Sequence, residues 1–283
     1  MKLSLIVASL LASTSAATST THHQYPRAQS GNDTTPTPFK SVTRIRLNPA
    51  GVRDYGDTDY STCTVPNAAI TNFTSSSGNG SGLSFTLSAS NGKLSGTANK
   101  AVYTRIISSL GERVVGAGIS AQSDAGGGAM ILTVSGLSAG QHSISAWHNA
   151  WDKLNETAAL SVSVDGKVTK TDVRQSVRVD NIWEAANSYV TFEATEGKDV
   201  EVVYTPSRYV GGRVFLNGFE IDGPSMENQI SFPAPAHRDE RVGIEDGNTV
   251  EVSWRAAKAE YATYDVYLGT EPTGLQAVAQ GLQ

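Results

Sequence analysis

The sequence predicts an all-β protein whose main domain is an antiparallel, jelly-roll-like β-sandwich. Between residues 41 and 223, apolar and polar residues alternate in short runs that end at Gly, Ser, Asn or Asp. Alternation with a period of two is typical of strands that bury one face, and closely spaced turn residues are typical of sandwiches and barrels. Helical spacing is found only around residues 102–110.

The alternating runs give the predicted strands in chain order. Asp165-Gly166 is a two-residue hairpin signal, and the segment from Gly136 to Gly140 predicts a second hairpin between the strands on either side of it. The strands are Thr43–Leu47, Leu83–Leu87, Met130–Val134, Gln141–Trp147, Leu160–Val164, Val168–Val179, Tyr189–Ala194, Val200–Tyr204 and Arg213–Ile221.

The N-terminal region predicts secretion. Residues 1–17 combine a positive start, a short apolar core and small residues suited to cleavage, which is the pattern of a signal peptide. Residues 18–40 are rich in Ser and Thr and have few aliphatic side chains, so we expect a disordered leader. Four Asn-x-Ser/Thr sequons agree with an extracellular glycoprotein. They lie at Asn32, Asn72, Asn79 and Asn155.

The net charge limits the classes of partner, and the cysteine content limits disulfide bonding. The 283-residue chain has 22 basic and 27 acidic residues spread along it, for a net charge of −5. Nucleic acid and anionic membrane are therefore poor partners, and we expect no cofactor. The sole cysteine, Cys63, excludes an intrachain disulfide and is predicted to be buried as a small apolar side chain.

The chain beyond Gly223 has a composition of its own. Residues 224–231 are predicted to be a linker, and residues 232–283 carry the runs Val250–Trp254 and Tyr264–Thr270. These runs resemble the second and third strands of a fibronectin type III domain. Such a sandwich needs roughly 100 residues, so we expect a truncated domain here.

Five short motifs mark the predicted strands of the larger unit, residues 41–223. They are Arg44–Asn48, Leu132–Leu137, Gln141–Ile144, Leu160–Gly166 and Val214–Ile221. In these motifs the unit resembles malectin and malectin-like carbohydrate-binding sandwiches. The resemblance implies sugar binding through loop aromatics and polar side chains at one end of the sandwich. It also places Asn217-Gly218 inside one continuous last strand rather than in a hairpin turn.

One stretch near the middle of the chain has the composition of a sugar-binding loop. Indoles stack on the C–H faces of a pyranose, and nearby amide, imidazole and carboxylate groups orient its hydroxyls. The period of two places Ile144 and Ala146 on one face and Trp147 on the opposite, Ser-lined face, which favours Trp147 as the stacking residue. Alternatively, Trp151 plugs the end of the sandwich and the polar residues satisfy loop backbone. The predicted contacts are Trp147, His148, Asn149, Trp151 and Asp152.

A second cluster of polar residues, Asp54–Tyr60, follows the first strand. It holds three carboxylates and two tyrosines but lacks the spacing of an EF-hand. Three interpretations stay open. The loop is solvated, or it adds Tyr55, Asp57 and Tyr60 to the sugar site, or it binds Ca²⁺ through Asp54, Asp57 and Asp59.

Catalytic signatures are weak, and we predict no catalytic residue. Asp54, Asp57, Asp152 and Glu184 could supply a carboxylate pair, but any acidic domain has such residues. His142 is predicted to be a strand residue rather than a catalytic base. The sequence thus favours a secreted, non-catalytic module that binds polysaccharide, either as a monomer or joined to a further domain in a longer parent chain. The alternatives are an extracellular protein-interaction or adhesion module, and a polysaccharide lyase or hydrolase with its site in the large sandwich.

Overall fold

The computed structural model describes most of the chain between residues 42 and 282. The chain divides into two compact units, Ser41–Gly223 and a second that holds the described residues after Gly223. No described helix is long and apolar enough to cross a membrane. The described residues are 42–52, 60–66, 72–76, 82–90, 93–98, 114–122, 128–151, 157–207, 212–228, 230–234, 252–257, 264–268 and 276–282.

Strands account for the described elements of the first unit. Most coincide with the predicted alternating runs, and the strands Met130–Ser135, Ala159–Val164 and Val200–Pro206 bury every second side chain. The strands are β1 Thr43–Pro49, β2 Ser61–Val65, β3 Asn72–Ser76, β4 Ser84–Ala89, β5 Lys93–Ala98, β6 Ala117–Gln122, β7 Met130–Ser135, β8 Gly140–Trp147, β9 Asn149–Ala150, β10 Ala159–Val164, β11 Lys167–Arg174, β12 Ser176–Val177, β13 Asn187–Ala194, β14 Val200–Pro206, β15 Arg213–Leu216 and β16 Gly218–Ile221.

Two large sheets enclose the core. One sheet has five strands in the order β13-β8-β16-β1-β2, and the other has six in the order β11-β10-β14-β7-β4-β3. Their pairs are antiparallel except β1 with β2. Phe85 of the six-stranded sheet meets Phe219 of the five-stranded sheet edge-to-face at 5.2 Å between ring centroids. The buried apolar residues form one cluster that includes Cys63, so the predicted sandwich and the burial of Cys63 are confirmed.

The structure confirms one of the two predicted hairpins and contradicts the other. β10 and β11 pair as predicted, and Asp165 and Gly166 have φ values of 47° and 79°, the positive pair that a tight hairpin turn requires. The hairpin predicted around Gly136–Gly140 is wrong, because β7 belongs to the six-stranded sheet and β8 to the five-stranded sheet. Both strands bury their apolar side chains in the same core, so the segment arches from one sheet to the other. A glycine-containing turn serves either connection, and local sequence does not distinguish them.

The last predicted strand is interrupted at Asn217. β15 belongs to a three-stranded sheet with β6 and β5, whereas β16 belongs to the five-stranded sheet. The expectation of one continuous strand is therefore wrong, and Asn217-Gly218 is not a hairpin turn either. A Cβ on Gly218 would lie 2.6 Å from the carbonyl oxygen of Ile45, so only glycine allows β16 to approach β1 this closely. The predicted strand from Val168 also ends early, at Arg174.

The described residues of the second unit form a 3-10 helix, Met226–Asn228, and four strands. The strands are β17 Ser231–Ala234, β18 Ser253–Arg255, β19 Tyr264–Leu268 and β20 Gln276–Leu282. β17 pairs with β18, and β19 pairs with β20. Trp254 of β18 lies edge-on to Tyr264 of β19, with ring centroids 6.0 Å apart. The Tyr264 hydroxyl accepts a hydrogen bond from the amide of Ala257 at 2.7 Å.

Candidate functional site

The five-stranded sheet has an outer face, opposite the core, on which Trp147 lies. Ile144 and Ala146 belong to the core cluster, so the predicted alternation along β8 is confirmed. Residues of the outer face alternate with core residues on each strand. The outer face is defined here by Arg44 and Arg46 of β1, Ser143, Ser145 and Trp147 of β8, Asn187 and Tyr189 of β13, and Glu220 of β16.

Trp147 lies on this outer face but is fully buried there. Its exposed fraction is 0%. The Tyr60 ring meets it at 6.2 Å and an interplanar angle of 74°. The indole Nε1 donates a hydrogen bond to the carbonyl oxygen of Ile182 at 3.3 Å. The expectation that Trp147 points to an open surface is wrong, because alternation determines the face of a side chain and says nothing of what covers that face.

His148 is also buried, and both of its ring nitrogens have partners. Nδ1 donates to the carbonyl oxygen of Phe215 at 2.7 Å, and Nε2 accepts from the Ser188 hydroxyl at 2.8 Å. Burial lowers the pKa of His148 to about 4, although the bond to Phe215 works in the opposite direction. The neutral ring therefore connects β9, β13 and β15 in the interior.

Of the other predicted sugar contacts, three lie among the described residues and the rest do not. Asn149 is fully buried, Tyr60 is nearly so, and Trp151 is half-buried with its Nε1 donating to the carbonyl oxygen of Val115. The interpretation in which Trp151 plugs the end of the sandwich stays a prediction. Sugar contact by any of these side chains stays a prediction. Outside the described residues lie Asp152, Tyr55, Asp57, Asp54 and Asp59, together with the sequons at Asn32, Asn79 and Asn155.

Neither a metal site nor a nucleophilic triad emerges from the described residues. They contain no group of three or more His, Cys, Asp or Glu side chains that could hold a metal ion. Asp222 bonds to Nδ1 of His142 at 2.9 Å. His142 Nε2 lies 3.0 Å from the carbonyl oxygen of Ser138 and 3.4 Å from its hydroxyl. Nε2 is therefore nearer to the backbone carbonyl oxygen of Ser138 than to its hydroxyl.

The segment of residues 178–186, here called the 178–186 loop, presents a half-buried indole, Trp183, just before β13. Asn181 shapes the turn through three bonds. Its Oδ1 accepts from the amide of Glu184 at 2.9 Å, its Nδ2 donates to the Glu184 carboxylate at 3.0 Å, and its carbonyl oxygen accepts from the amide of Ala185 at 3.2 Å. Trp183 therefore lies in a turn with a defined hydrogen-bond pattern.

The 178–186 loop lies over the outer face. Trp147, whose indole binds Ile182, is paired in register with Asn187 on one side and Gly218 on the other. A second set of outward-facing residues is paired in register across four strands. It consists of Tyr189, Ser145, Glu220 and Arg44. Asn187 and Tyr189 are half-buried, and the amide of Asn187 donates to the Ser145 hydroxyl at 2.9 Å. Trp183 directly follows Ile182, the residue that bonds to Trp147 of this face.

Charges on the outer face are internally paired. The Glu220 carboxylate accepts hydrogen bonds from Nε of Arg44, at 3.2 Å, and from the Tyr60 hydroxyl. Nε of Arg46 donates to the Thr62 hydroxyl at 2.9 Å. A Cβ on Gly223 would lie 2.3 Å from Glu220 Oε2, so glycine at this position makes room for the carboxylate. The three charged side chains that define this face, two arginines and one glutamate, therefore bond to neighbouring protein groups.

Sequence reasoning missed Trp183, Asn187, Tyr189, Arg44 and Glu220 as site candidates. The sequence signal for Trp183 is its position between Asn181 and Glu184, in the gap that precedes a predicted strand. The sequence predicts Glu184 only as an available carboxylate. The Arg44–Glu220 pair joins residues 176 positions apart, and no local pattern reveals such a contact.

Comparison with known proteins finds likeness only among solved structures. No protein-family model and no curated protein matches the chain. A family 35 carbohydrate-binding module from Clostridium thermocellum is 12% identical, with 36% of this chain and 76% of that chain covered and a TM-score of 0.28. The family 35 module of Abf62 from Cellvibrio japonicus is 13% identical, with 38% and 73% covered and a TM-score of 0.26.

A fungal enzyme gives a similar result. An exo-β-1,3-galactanase from Phanerochaete chrysosporium is 13% identical, with 54% of this chain and 29% of that chain covered and a TM-score of 0.31. The structural neighbours thus include carbohydrate-binding modules and a glycan-cleaving enzyme. Likeness at these TM-scores assigns neither a ligand nor a family, and the all-β sandwich is established by its strand pairing and shared core.

Proposed function

We propose that the Ser41–Gly223 unit is a carbohydrate-binding module that contacts polysaccharide through Trp183 and the neighbouring outward residues of β13. The observation that carries the proposal is a half-buried indole held in a hydrogen-bonded turn whose preceding residue, Ile182, is bonded to Trp147 of the outer face. An aromatic face accepts the C–H groups of a pyranose, and a few fixed polar groups orient its hydroxyls. Asn187 and Tyr189 supply such groups.

Charge favours a neutral polymer. The 178–186 loop carries exposed Asp180 and Glu184 against one exposed cation, Arg178. Arg44 and Glu220 compensate each other on the outer face. With a net charge of −5 for the chain, a carboxylated polysaccharide gains no electrostatic attraction here.

Three finer assignments belong to the same proposal. The module is of malectin-like type, the second unit is the first part of a fibronectin type III domain, and the protein is a secreted glycoprotein. The sequence patterns described above support each of them. Binding by a module of this kind raises the local concentration of any catalytic domain joined to it.

Affinity gel electrophoresis of the full chain tests the proposal. Gels that contain a neutral β-glucan, galactan or xylan should retard the wild-type chain, and gels that contain polygalacturonate should not. Trp183→Ala should abolish the retardation. Trp254→Ala is the matched control, because it removes a half-buried indole from the other unit, and it should be retarded like the wild type. Retardation of Trp183→Ala to the wild-type extent, or none for the wild type in any neutral gel, would refute the proposal.

A further inference from the structure

The 178–186 loop is tethered to β8 and β9 at both ends and in the middle. At its start, the amide of Arg178 donates to the carbonyl oxygen of Ala150 at 2.9 Å. At its end, the amide of His148 donates to the carbonyl oxygen of Ala186, also at 2.9 Å. Trp147 binds Ile182 between these points. The conformation of the loop is therefore dictated by the strand segment beneath it.

Asn149 joins both ends of the loop with one side chain. Its Nδ2 donates to the carbonyl oxygen of Val179 at 2.7 Å, and its Oδ1 accepts from the amide of Val179 at 3.2 Å. The side-chain amide thus pairs with Val179 as a neighbouring strand would. Oδ1 also accepts from the Ser176 hydroxyl at 2.8 Å, and the oxygen of that hydroxyl accepts from the amide of Ala186 at 3.0 Å.

The Asn149 amide has no capacity left for a ligand. Its second hydrogen goes to the carbonyl oxygen of Val115 at 3.1 Å, so both hydrogens and both acceptor sites are used. Its backbone amide donates to Oδ1 of Asn217 at 2.6 Å, which holds the residue in place. The residue is fully buried. Direct sugar contact would break this set of bonds.

We propose that Asn149 is a positioning residue of the carbohydrate site, which acts through Val179 and the Ser176 hydroxyl to hold the 178–186 loop and Trp183 in the binding pose. The inference rests on the proposed function of Trp183. A loop that is already ordered loses less conformational freedom when it binds a ligand, so affinity depends on the tether. Asn149 therefore contributes to binding without touching the sugar.

Two variants separate this role from a general contribution to stability. Asn149→Asp keeps Oδ1 but replaces both donated hydrogens with an oxygen that faces the carbonyls of Val179 and Val115. Ser176→Ala removes the hydroxyl that links Asn149 to Ala186 and that also contacts the carbonyl oxygen of His148, but it leaves both bonds between Asn149 and Val179 and the backbone bond from Ser176 to His148. The position is half-buried and tolerates the loss. Ser176→Thr retains a hydroxyl and is the matched control.

The experiment combines amide hydrogen exchange with titration of the full chain with a soluble neutral oligosaccharide. In Asn149→Asp and Ser176→Ala, the amides of Val179, Glu184 and Ala186 should exchange at least about tenfold faster, while those of β10 and β14 keep their wild-type rates. The Kd should rise about tenfold in Ser176→Ala and stay at the wild-type value in Ser176→Thr. A merely structural role would accelerate exchange throughout the sandwich.

The outcomes keep the two proposals apart. Wild-type exchange in the loop together with a wild-type Kd in Ser176→Ala would overturn the positioning role and leave the function of Trp183 intact. Equal binding by the wild type and Trp183→Ala would refute that function, and the positioning role for binding would fall with it, whatever the exchange rates. If Asn149→Asp does not fold, Ser176→Ala decides the question. Failure of Ser176→Ala to fold would also overturn the inference, because a local tether does not hold the whole sandwich together.

Discussion

Two stretches of this protein have similar composition and opposite environments. Trp147–Asn149 and the 178–186 loop both combine an indole with amide or carboxylate groups at the end of a strand. The first is fully buried, whereas Trp183 in the second is half-buried and its neighbours Asp180 and Glu184 are exposed. The comparison teaches that residue types suited to sugar binding are equally suited to holding a loop in place, and burial distinguishes the two roles.

Hydrogen-bond capacity makes the same distinction. In the buried stretch, the rings and amide of Trp147, His148 and Asn149 direct their polar atoms to protein groups. In the loop, the Asn181 side chain also bonds internally, but to groups that are exposed. Breaking an exposed bond costs little, because water or a ligand replaces the lost partner. Breaking a buried bond leaves a polar group unsatisfied.

The largest expected difference between the two stretches comes from removing each indole. Trp147→Ala should lower the free energy of unfolding by about 3–5 kcal/mol, because it opens a cavity under the loop and leaves the Ile182 carbonyl without its donor. Trp183→Ala should cost about 1 kcal/mol, since this residue is only partly buried. Urea unfolding of the two variants checks the difference. Equal losses would mean that the two indoles have the same structural role.

The next largest difference in stability is expected between two asparagine substitutions, one at the buried Asn217 and one at Asn181 in the 178–186 loop. Oδ1 of Asn217 accepts from the amide of Asn149 at 2.6 Å, and its Nδ2 donates to the carbonyl of Ala117 at 2.9 Å, both in the interior. Asn217→Ala should therefore destabilise the fold by about 3 kcal/mol, because buried groups lose their partners. Asn181→Ala removes bonds at the surface and should cost about 1 kcal/mol. Thermal unfolding measures both variants, and a larger loss from Asn181→Ala would contradict the contrast.

The buried histidine should make stability depend on pH. The pKa of His148 is about 4 in the folded chain and 6.5 when unfolded, so between these values the unfolded state binds more protons. Its contribution is complete above about pH 6.5 and is lost as the pH falls towards 4, by about 3 kcal/mol in all. Unfolding free energies between pH 4 and 7 should show this slope in the wild type and lose it in His148→Gln. A slope that is unchanged in the variant would show that His148 is not buried in its neutral form.

The smallest effect is expected for Tyr204, whose buried hydroxyl is compared with the hydrogen-bonded groups of the same interior. The Tyr204 hydroxyl is buried beside His148 and has no hydrogen-bond partner among the described residues, and burial raises the pKa of Tyr204. Tyr204→Phe should therefore be neutral or stabilise the fold by up to about 1 kcal/mol, unlike the substitution of a bonded residue such as Asn217. Calorimetric melting temperatures test this. A loss of more than about 1 kcal/mol would indicate that the hydroxyl has a partner.

Much of the fold could be predicted from local patterns, and the site could not. Alternation located most of the strands of the first unit and the faces of Ile144 and Trp147, because each depends on neighbours in sequence. The burial of Cys63 followed from its residue type alone. The connection from β7 to β8 and the change of sheet at Asn217 depend on which distant strand pairs with which. The covering of Trp147 by Tyr60 and Ile182 likewise joins residues far apart in the chain.

Hydroxyl-radical footprinting of the tryptophans, with and without the neutral polysaccharide, measures the contrast between the two stretches directly. Trp183 should be oxidised in the free chain and protected when the polymer is bound, because its ring is partly open to water and lies at the proposed contact. Trp147 should stay unmodified in both samples, because it is fully buried. Oxidation of Trp147 in the folded free chain, or protection of Trp147 but not Trp183 by the polymer, would contradict the roles assigned to the two indoles.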